Sequence, residues 1–440
     1  MAALLNRARS VLASLVLAAA VAACGHPQVN SFVPAPDGDR IAVSSVANAA
    51  SPERLIYDFP SWRRGGLPVA ALAAGKDGRM YGATLYGGTG SCNDLYPGCG
   101  EVFELTPQAG GFAEQTVYNF QNHGDGSRPL SVIRSSSGDL FGLTASYVSP
   151  PELFRLQPHG QTFTETTLYQ FTGNQNPWGT LTLGRDGSLY GTDLSFGSAT
   201  WGMIFRFTPS GDAYAEQILY DFTQPLLGVD PSSPLVVEAK SGIIYGTTSQ
   251  GGTGNAGECL GLGCGTIFML TPTSANEYTH TILYNFKGTN DGAFPHGLAE
   301  DRNGTLYGVG GLSGGSACVD GGCGTVFSFD PVTRRFNLLH SFSRSGLWWP
   351  DAQLVIDPYG ALYGTTAQNG VDLNTSNGGV FKLTPGPYGF VYTTLHTFAG
   401  SPSDGQFPRG GLLLDPSGQA VYGTTYWGGH GIGTVFKVKT

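Results

Sequence analysis

The sequence predicts an all-β protein, a seven-bladed β-propeller of four-stranded antiparallel blades, and three observations carry that prediction. Four short markers recur seven times, each alternates apolar and polar residues with the two-residue period of a strand, and no long stretch reads as an amphipathic helix. Composition agrees. The 440 residues include 67 Gly and 27 Pro, which supply turns, while 40% hydrophobic and 12% aromatic residues suffice for a packed core and argue against disorder. The formal charge of −9 leaves no basic surface for a phosphate backbone, so no nucleic acid partner is expected.

In chain order, residues 1–23 read as a signal peptide: Arg7 and Arg9, then an apolar run from Val11 to Ala23 that falls short of the ~20 residues a bilayer span needs. Val21-Ala22-Ala23-Cys24-Gly25 resembles a bacterial lipobox. Cys24 is therefore the expected lipid attachment site, anchoring an exported chain to a membrane, and Gly rather than Asp at position 25 implies the outer membrane or cell surface. Residues 24–53 contain Pro27, Pro34, Pro36 and Pro52 without a clear period and read as a flexible tether. Residues 54–440 are the propeller.

Within it, an aromatic-Gly pair marks the second strand of each blade: Tyr81-Gly82, Phe141-Gly142, Tyr190-Gly191, Tyr245-Gly246, Tyr307-Gly308, Tyr363-Gly364 and Tyr422-Gly423. Pro68, Pro129, Pro177, Pro234, Pro295, Pro350 and Pro408 lie upstream and mark the first strand. An apolar-Phe pair ending at Phe103, Phe154, Phe205, Phe268, Phe327, Phe381 and Phe436 marks the third, which typically ends in Thr-Pro, where the missing amide is expected to stop the ladder. The fourth marker, an aliphatic residue, Tyr or His, a polar residue and Phe, ends at Phe59, Phe120, Phe171, Phe222, Phe286, Phe342 and Phe398. Turns such as Arg185-Asp186-Gly187-Ser188 join strands one and two. Leu55–Phe59 is a fourth strand before any first, and the chain ends on a third strand, so the opening strand is expected to complete the last blade.

Leu283-Tyr284-Asn285-Phe286, Asp291-Gly292, Pro295-His296-Gly297-Leu298, Gly304-Thr305-Leu306-Tyr307-Gly308 and Gly324-Thr325-Val326-Phe327 together resemble the GloVer repeat of the choice-of-anchor tandem repeat proteins. The resemblance implies a secreted bacterial surface protein with a variable anchoring device, here the lipid on Cys24, and implies no established activity.

Cys92 with Cys99, Cys259 with Cys264, and Cys318 with Cys323 occupy one place in the repeat, the loop between strands two and three. No histidine recurs beside them and an exported chain meets an oxidising compartment, so three disulfides are expected, each worth about 2 kcal/mol for so short a loop. That loop and the connection to the next blade emerge on the same face. Trp62, Trp178, Trp348 and Trp349 fall in the connections, Trp201 and Trp427 between strands two and three, and His123, His296 and His430 join them. Aromatics gathered on one face suggest a platform for carbohydrate or a protein partner; the alternative is that each Trp fills a gap between blades.

Asp125, Asp291 and Asp404 begin Asp-Gly pairs in the interblade loops. A calcium loop needs several oxygen ligands in line and none is found, so a turn accounts for them and no cofactor is assigned. No catalytic motif is found either. Gly311-Leu312-Ser313-Gly314-Gly315 spells a nucleophile elbow without its strand-to-helix turn. Glu238, Glu300 and Asp351, in or near first strands, are the acids an enzyme would turn into the channel. The sequence thus reads as a monomeric, lipid-anchored surface propeller that binds carbohydrate or protein through its loop face. A polysaccharide-active hydrolase or lyase and a structural envelope protein are the alternatives.

Overall fold

The computed structural model describes residues 53–92, 96–145, 149–172, 175–194, 201–211, 213–254, 259, 261–274, 277–312, 323–370 and 376–440. The signal peptide, Cys24, the tether before residue 53, and Cys318 lie outside them. The four markers become four strands, and the sheets form seven antiparallel blades: residues 66–119, 129–170, 177–221, 236–285, 293–341, 355–397 and 413–439, the last completed by Glu53–Asp58. Glu53 pairs with Val438 and Asp58 with Thr434, so the first strand of the chain is the outermost strand of blade 7. First strands face the axis. Ser131 Oγ donates to Gly179 O (3.3 Å), Thr182 Oγ1 to Leu235 O (2.8 Å) and Gln353 Nε2 to Leu298 O (2.5 Å), each tying one innermost strand to a neighbour.

The markers have a steric cause. Each marker Gly lies opposite the Phe of the third strand, Gly82 with Phe103 and Gly364 with Phe381 for example. A Cβ there would lie 2.3–2.6 Å from the Phe ring in all seven blades, so the ring takes the space that the glycine leaves. The adjoining aromatic is fixed by a polar contact. Tyr307 and Tyr363 donate their hydroxyls to Asp301 and Asp357, which also cap the hairpins by accepting Thr305 and Ala361 N–H.

The fourth strand carries a one-residue bulge in every blade, between Leu55 and Tyr57 in the closing strand, for instance, and opposite Val102/Phe103 in blade 1. The extra residue is the marker aliphatic, and in five blades the following Tyr or His reaches the next blade's outer strand. Tyr57 and Tyr169 donate to Glu114 (2.9 Å) and Glu216 (2.6 Å), while Tyr220, Tyr284 and His340 stack on His280, Phe336 and Tyr392 at 4.0–4.5 Å. The marker Phe, at most 3% exposed, donates its N–H to the carbonyl that starts the third strand, as Phe120 does to Gly100 O (3.1 Å).

On the loop face a latch joins blade to blade. Leu67, Arg128, Asp230, Phe294, Trp349 and Phe407 have φ between 52° and 62° and donate N–H to Ile432, Cys99, Trp201, Cys264, Cys323 and Asn377 of the preceding blade at 2.6–3.1 Å. The proline after each packs on a left-handed glycine, where a Cβ would lie 2.4–2.7 Å from the ring. Blade 2 departs: Pro151 stands at the start of the third strand, where the others have glycine, and donates nothing.

Two expectations are corrected here. In blade 4 the latch proline is Pro231, against Gly202, and not Pro234. Nor does Thr-Pro stop the ladder: Pro107 pairs with Phe112 and Pro385 with Phe390. The second strand begins only opposite Leu105 or Leu383, at Met80 or Leu362, so the missing amide forfeits no partner there.

Candidate functional site

The Cys92–Cys99 and Cys259–Cys264 disulfides staple loops between strands two and three, with Cα separations of 5.2 and 5.1 Å. Cys323 is also disulfide-bonded; Cys318, its expected partner, lies outside the described residues. The first staple shapes the main aromatic cluster. It holds Tyr96, whose ring stacks on Trp62 at 5.1 Å and 20° and meets Trp427 edge-on at 6.1 Å. Tyr86 touches both Tyr96 (5.0 Å) and Trp62 (6.5 Å), and Tyr426 lies 5.3 Å from Trp427. Arg128 covers the Tyr86 ring at 4.8 Å.

Three distant pieces of chain build this cluster. Trp62 comes from the connection after the closing strand, in the short turn Trp62–Arg64; Tyr96 from the stapled loop; and Trp427 from a ladder between Trp427–Gly428 and Gly405–Gln406. Trp62 O accepts Gly88 N–H (2.7 Å) and Pro97 O accepts Gly87 N–H (2.8 Å), so backbone bonds hold the loops together. Tyr86 is buried, whereas Trp62, Tyr96, Tyr426 and Trp427 are half-exposed. The result is a partly solvated aromatic surface over the seam where the ring closes.

The other tryptophans divide. Trp348 is 5% exposed, donates Nε1–H to Gly370 O (2.9 Å) and packs in the core, so it fills a gap between elements. Trp349 is half-exposed at φ 62°, 6.3 Å from Trp348. Trp178 sits inside the first strand of blade 3, Pro177–Leu183, and Trp201 before the third; both are half-buried against core clusters.

The histidines do not come together. His123 is exposed in the turn that Asp125 caps, and His430 is 68% exposed, with Nδ1 2.6 Å from Asp58 Oδ2. His296 lies in the first strand of blade 5, where burial and then Arg409 push it down to about 4. The Asp-Gly carboxylates are engaged by donors. Asp125 accepts Tyr118 OH and the N–H groups of Gln121 and His123, Asp291 accepts Tyr284 OH and Lys287 N–H, and Asp404 contacts His396 Nε2 and accepts Ala399 N–H. Their geometry is that of loop clamps.

The channel acids separate between the two faces. Glu238 accepts Tyr245 OH and Ser241 OH and, with Glu300, lines an open cavity of about 600 Å³ at the hairpin end of blades 3–5. Burial and neighbouring carboxylates raise Glu300. Asp351 is at the opposite, loop-face end, with its carboxylate 3.9 Å from Arg409 Nε; burial pushes it up to about 7 although Arg409 pulls the other way.

Sequence reasoning missed Tyr86, Tyr96 and Tyr426. Tyr96 had a signal in its enclosure between Cys92 and Cys99, whereas the convergence of Trp62 and Trp427 depends on closure.

The Gloeobacter/Verrucomicrobia repeat matches residues 42–259, 149–317 and 310–440. No curated protein matches. Among solved structures, a chain of the mitotic checkpoint complex is similar at 12% identity with a TM-score of 0.53, covering 94% of this chain and 99% of that one. The GH74 enzyme of Niastella koreensis is similar at 15% identity and TM-score 0.52, covering 84% of this chain and 52% of that enzyme. A gluconolactonase of Xanthomonas campestris, at 12% identity and TM-score 0.44, covers 88% of both chains. These likenesses concern the fold alone.

Proposed function

The chain belongs to the Gloeobacter/Verrucomicrobia repeat family, and we propose that it is a surface binding module whose loop face takes carbohydrate. One observation carries this reading: the half-exposed cluster of Trp62, Tyr96, Tyr426 and Trp427, pre-shaped by a disulfide and interlocking backbone bonds. Sugar rings have apolar C–H faces that lie on aromatic rings, and a platform already ordered loses little side-chain entropy on binding. The His430–Asp58 pair, with His430 68% exposed, supplies polar groups on the same face for hydroxyls.

The expected lipid on Cys24 would hold this module at a bacterial membrane, with residues 25–52 as the tether. Cys24→Ser should move the protein from the membrane to the soluble fraction. The binding reading is tested by a polysaccharide array probed with the chain from residue 51, with product analysis of every hit. Bound, intact glycan is expected; cleaved glycan would replace this reading with the hydrolase or lyase.

A further inference from the structure

Three consecutive blades carry one pattern where the chain enters the innermost strand: Phe294-Pro295-His296, Trp349-Pro350-Asp351 and Phe407-Pro408-Arg409. The latch fixes their backbone. In each the aromatic residue is left-handed (φ 52°, 62° and 56°) and donates N–H to the preceding blade at 2.9–3.0 Å. The same backbone is built in blade 1 with Leu67 and Val69, and in blade 2 with Arg128 and Leu130, so the latch does not dictate these side chains. A polar group after the proline, flanked by an aromatic, is a property of one sector.

All six residues in that sector are partly buried, the Arg409 side chain 30% and the Asp351 side chain 15% exposed. Arg409, on blade 7, lies 3.9 Å from Asp351 on blade 6; His296 of blade 5 holds the same position after the latch proline in its own innermost strand, and the Arg409 charge adds to the burial that lowers it. Asp351 Oδ1 is enclosed and has no hydrogen-bond donor within the protein, an unmet acceptor at the head of the channel.

We propose that His296, Asp351 and Arg409 form a pocket for a single sugar ring, with Phe294, Trp349 and Phe407 beside its apolar faces. A carboxylate and a guanidinium side by side match adjacent hydroxyls: one donates to Asp351, and its neighbour accepts from Arg409. Neutral His296 has one ring nitrogen to donate and one to accept. The innermost strands crowd at this end, where a Cβ on Gly297 would lie 2.8 Å from Gln353, so a ring enters end-on rather than as part of a threaded chain. This inference rests on the carbohydrate reading and extends it from the seam cluster to the axis.

The test titrates the chain from residue 51 with glucose, galactose, mannose, glucuronate and galacturonate, followed by saturation-transfer NMR. At least one sugar should bind, Asp351→Asn and Arg409→Lys should each weaken it at least tenfold, and Tyr388→Ala, fully exposed and outside both sites, should leave it unchanged. His296→Gln serves as the third variant if either of the others lowers the melting temperature. Binding of none of the five sugars, or binding indifferent to these variants, overturns the pocket. Polysaccharide binding that is lost only with Trp62 or Trp427 would leave the seam platform standing without it, and silence with both polysaccharides and monosaccharides would remove both.

Discussion

Gly364 shows how one residue type can be dictated by another on the facing strand. Its Cα lies under the Phe381 ring, and Gly364→Ala would set a methyl 2.5 Å from Phe381 Cζ. Overpacking of that kind costs about 1–3 kcal/mol, and a denaturant titration should show it; Phe381→Leu in the same chain should recover part of the loss. Glu101 gives a pH signature. It is fully buried, and burial followed by repulsion from Glu114 pushes it up to about 8 from 4.5. The folded chain therefore holds a proton that the unfolded chain releases, so this contribution is full below pH 4.5 and is lost as pH rises through 8. His280 and His340, pushed down by burial to about 4, act in the opposite sense, with stability lost as pH falls from 6.5 through 4. Melting curves across pH should fall on both sides, and Glu101→Gln should flatten the alkaline side alone. A profile unchanged by that substitution would show that Glu101 is not the titrating group.

At the scale of elements, Trp348 and Trp62 make opposite predictions although both are tryptophans of the loop face. Trp348, buried and bonded to Gly370 O, should cost about 3–5 kcal/mol when replaced by Ala, read as a lowered denaturation midpoint. The strands and their markers were legible because period, glycine and phenylalanine recur together and each recurrence has a local cause. The difference between Trp348 and Trp349 was not, since adjacent residues in one connection point to different surroundings once the latch turns the backbone through φ 62°. The Asp-Gly carboxylates were legible as turns, but their bonds to Tyr118 and Tyr284 of the preceding strand depend on how the bulge aims those rings.

For the whole molecule, closure is non-covalent and rests on Glu53–Asp58 pairing with Thr434–Lys439, Pro68 packing on Gly433, and Tyr57 donating to Glu114 of the next blade. Deleting residues 53–58 removes the first and last of these at once. The shortened chain should lose its single cooperative melting transition, while an unchanged melt would mean the ring does not depend on this clasp. The order of markers along the chain already implied such closure; the aromatic cluster it assembles could not be foreseen, because Trp62 and Trp427 are separated by almost the full length of the propeller. The account turns on whether that cluster binds. Its most direct test is calorimetric titration of an array-identified polysaccharide into the wild-type chain, the Trp62→Ala/Trp427→Ala double variant and Trp348→Ala. We predict that the double variant keeps its fold and loses binding by at least tenfold, whereas Trp348→Ala, at a temperature where it remains folded, binds as wild type. Undiminished binding by the folded double variant would contradict the account.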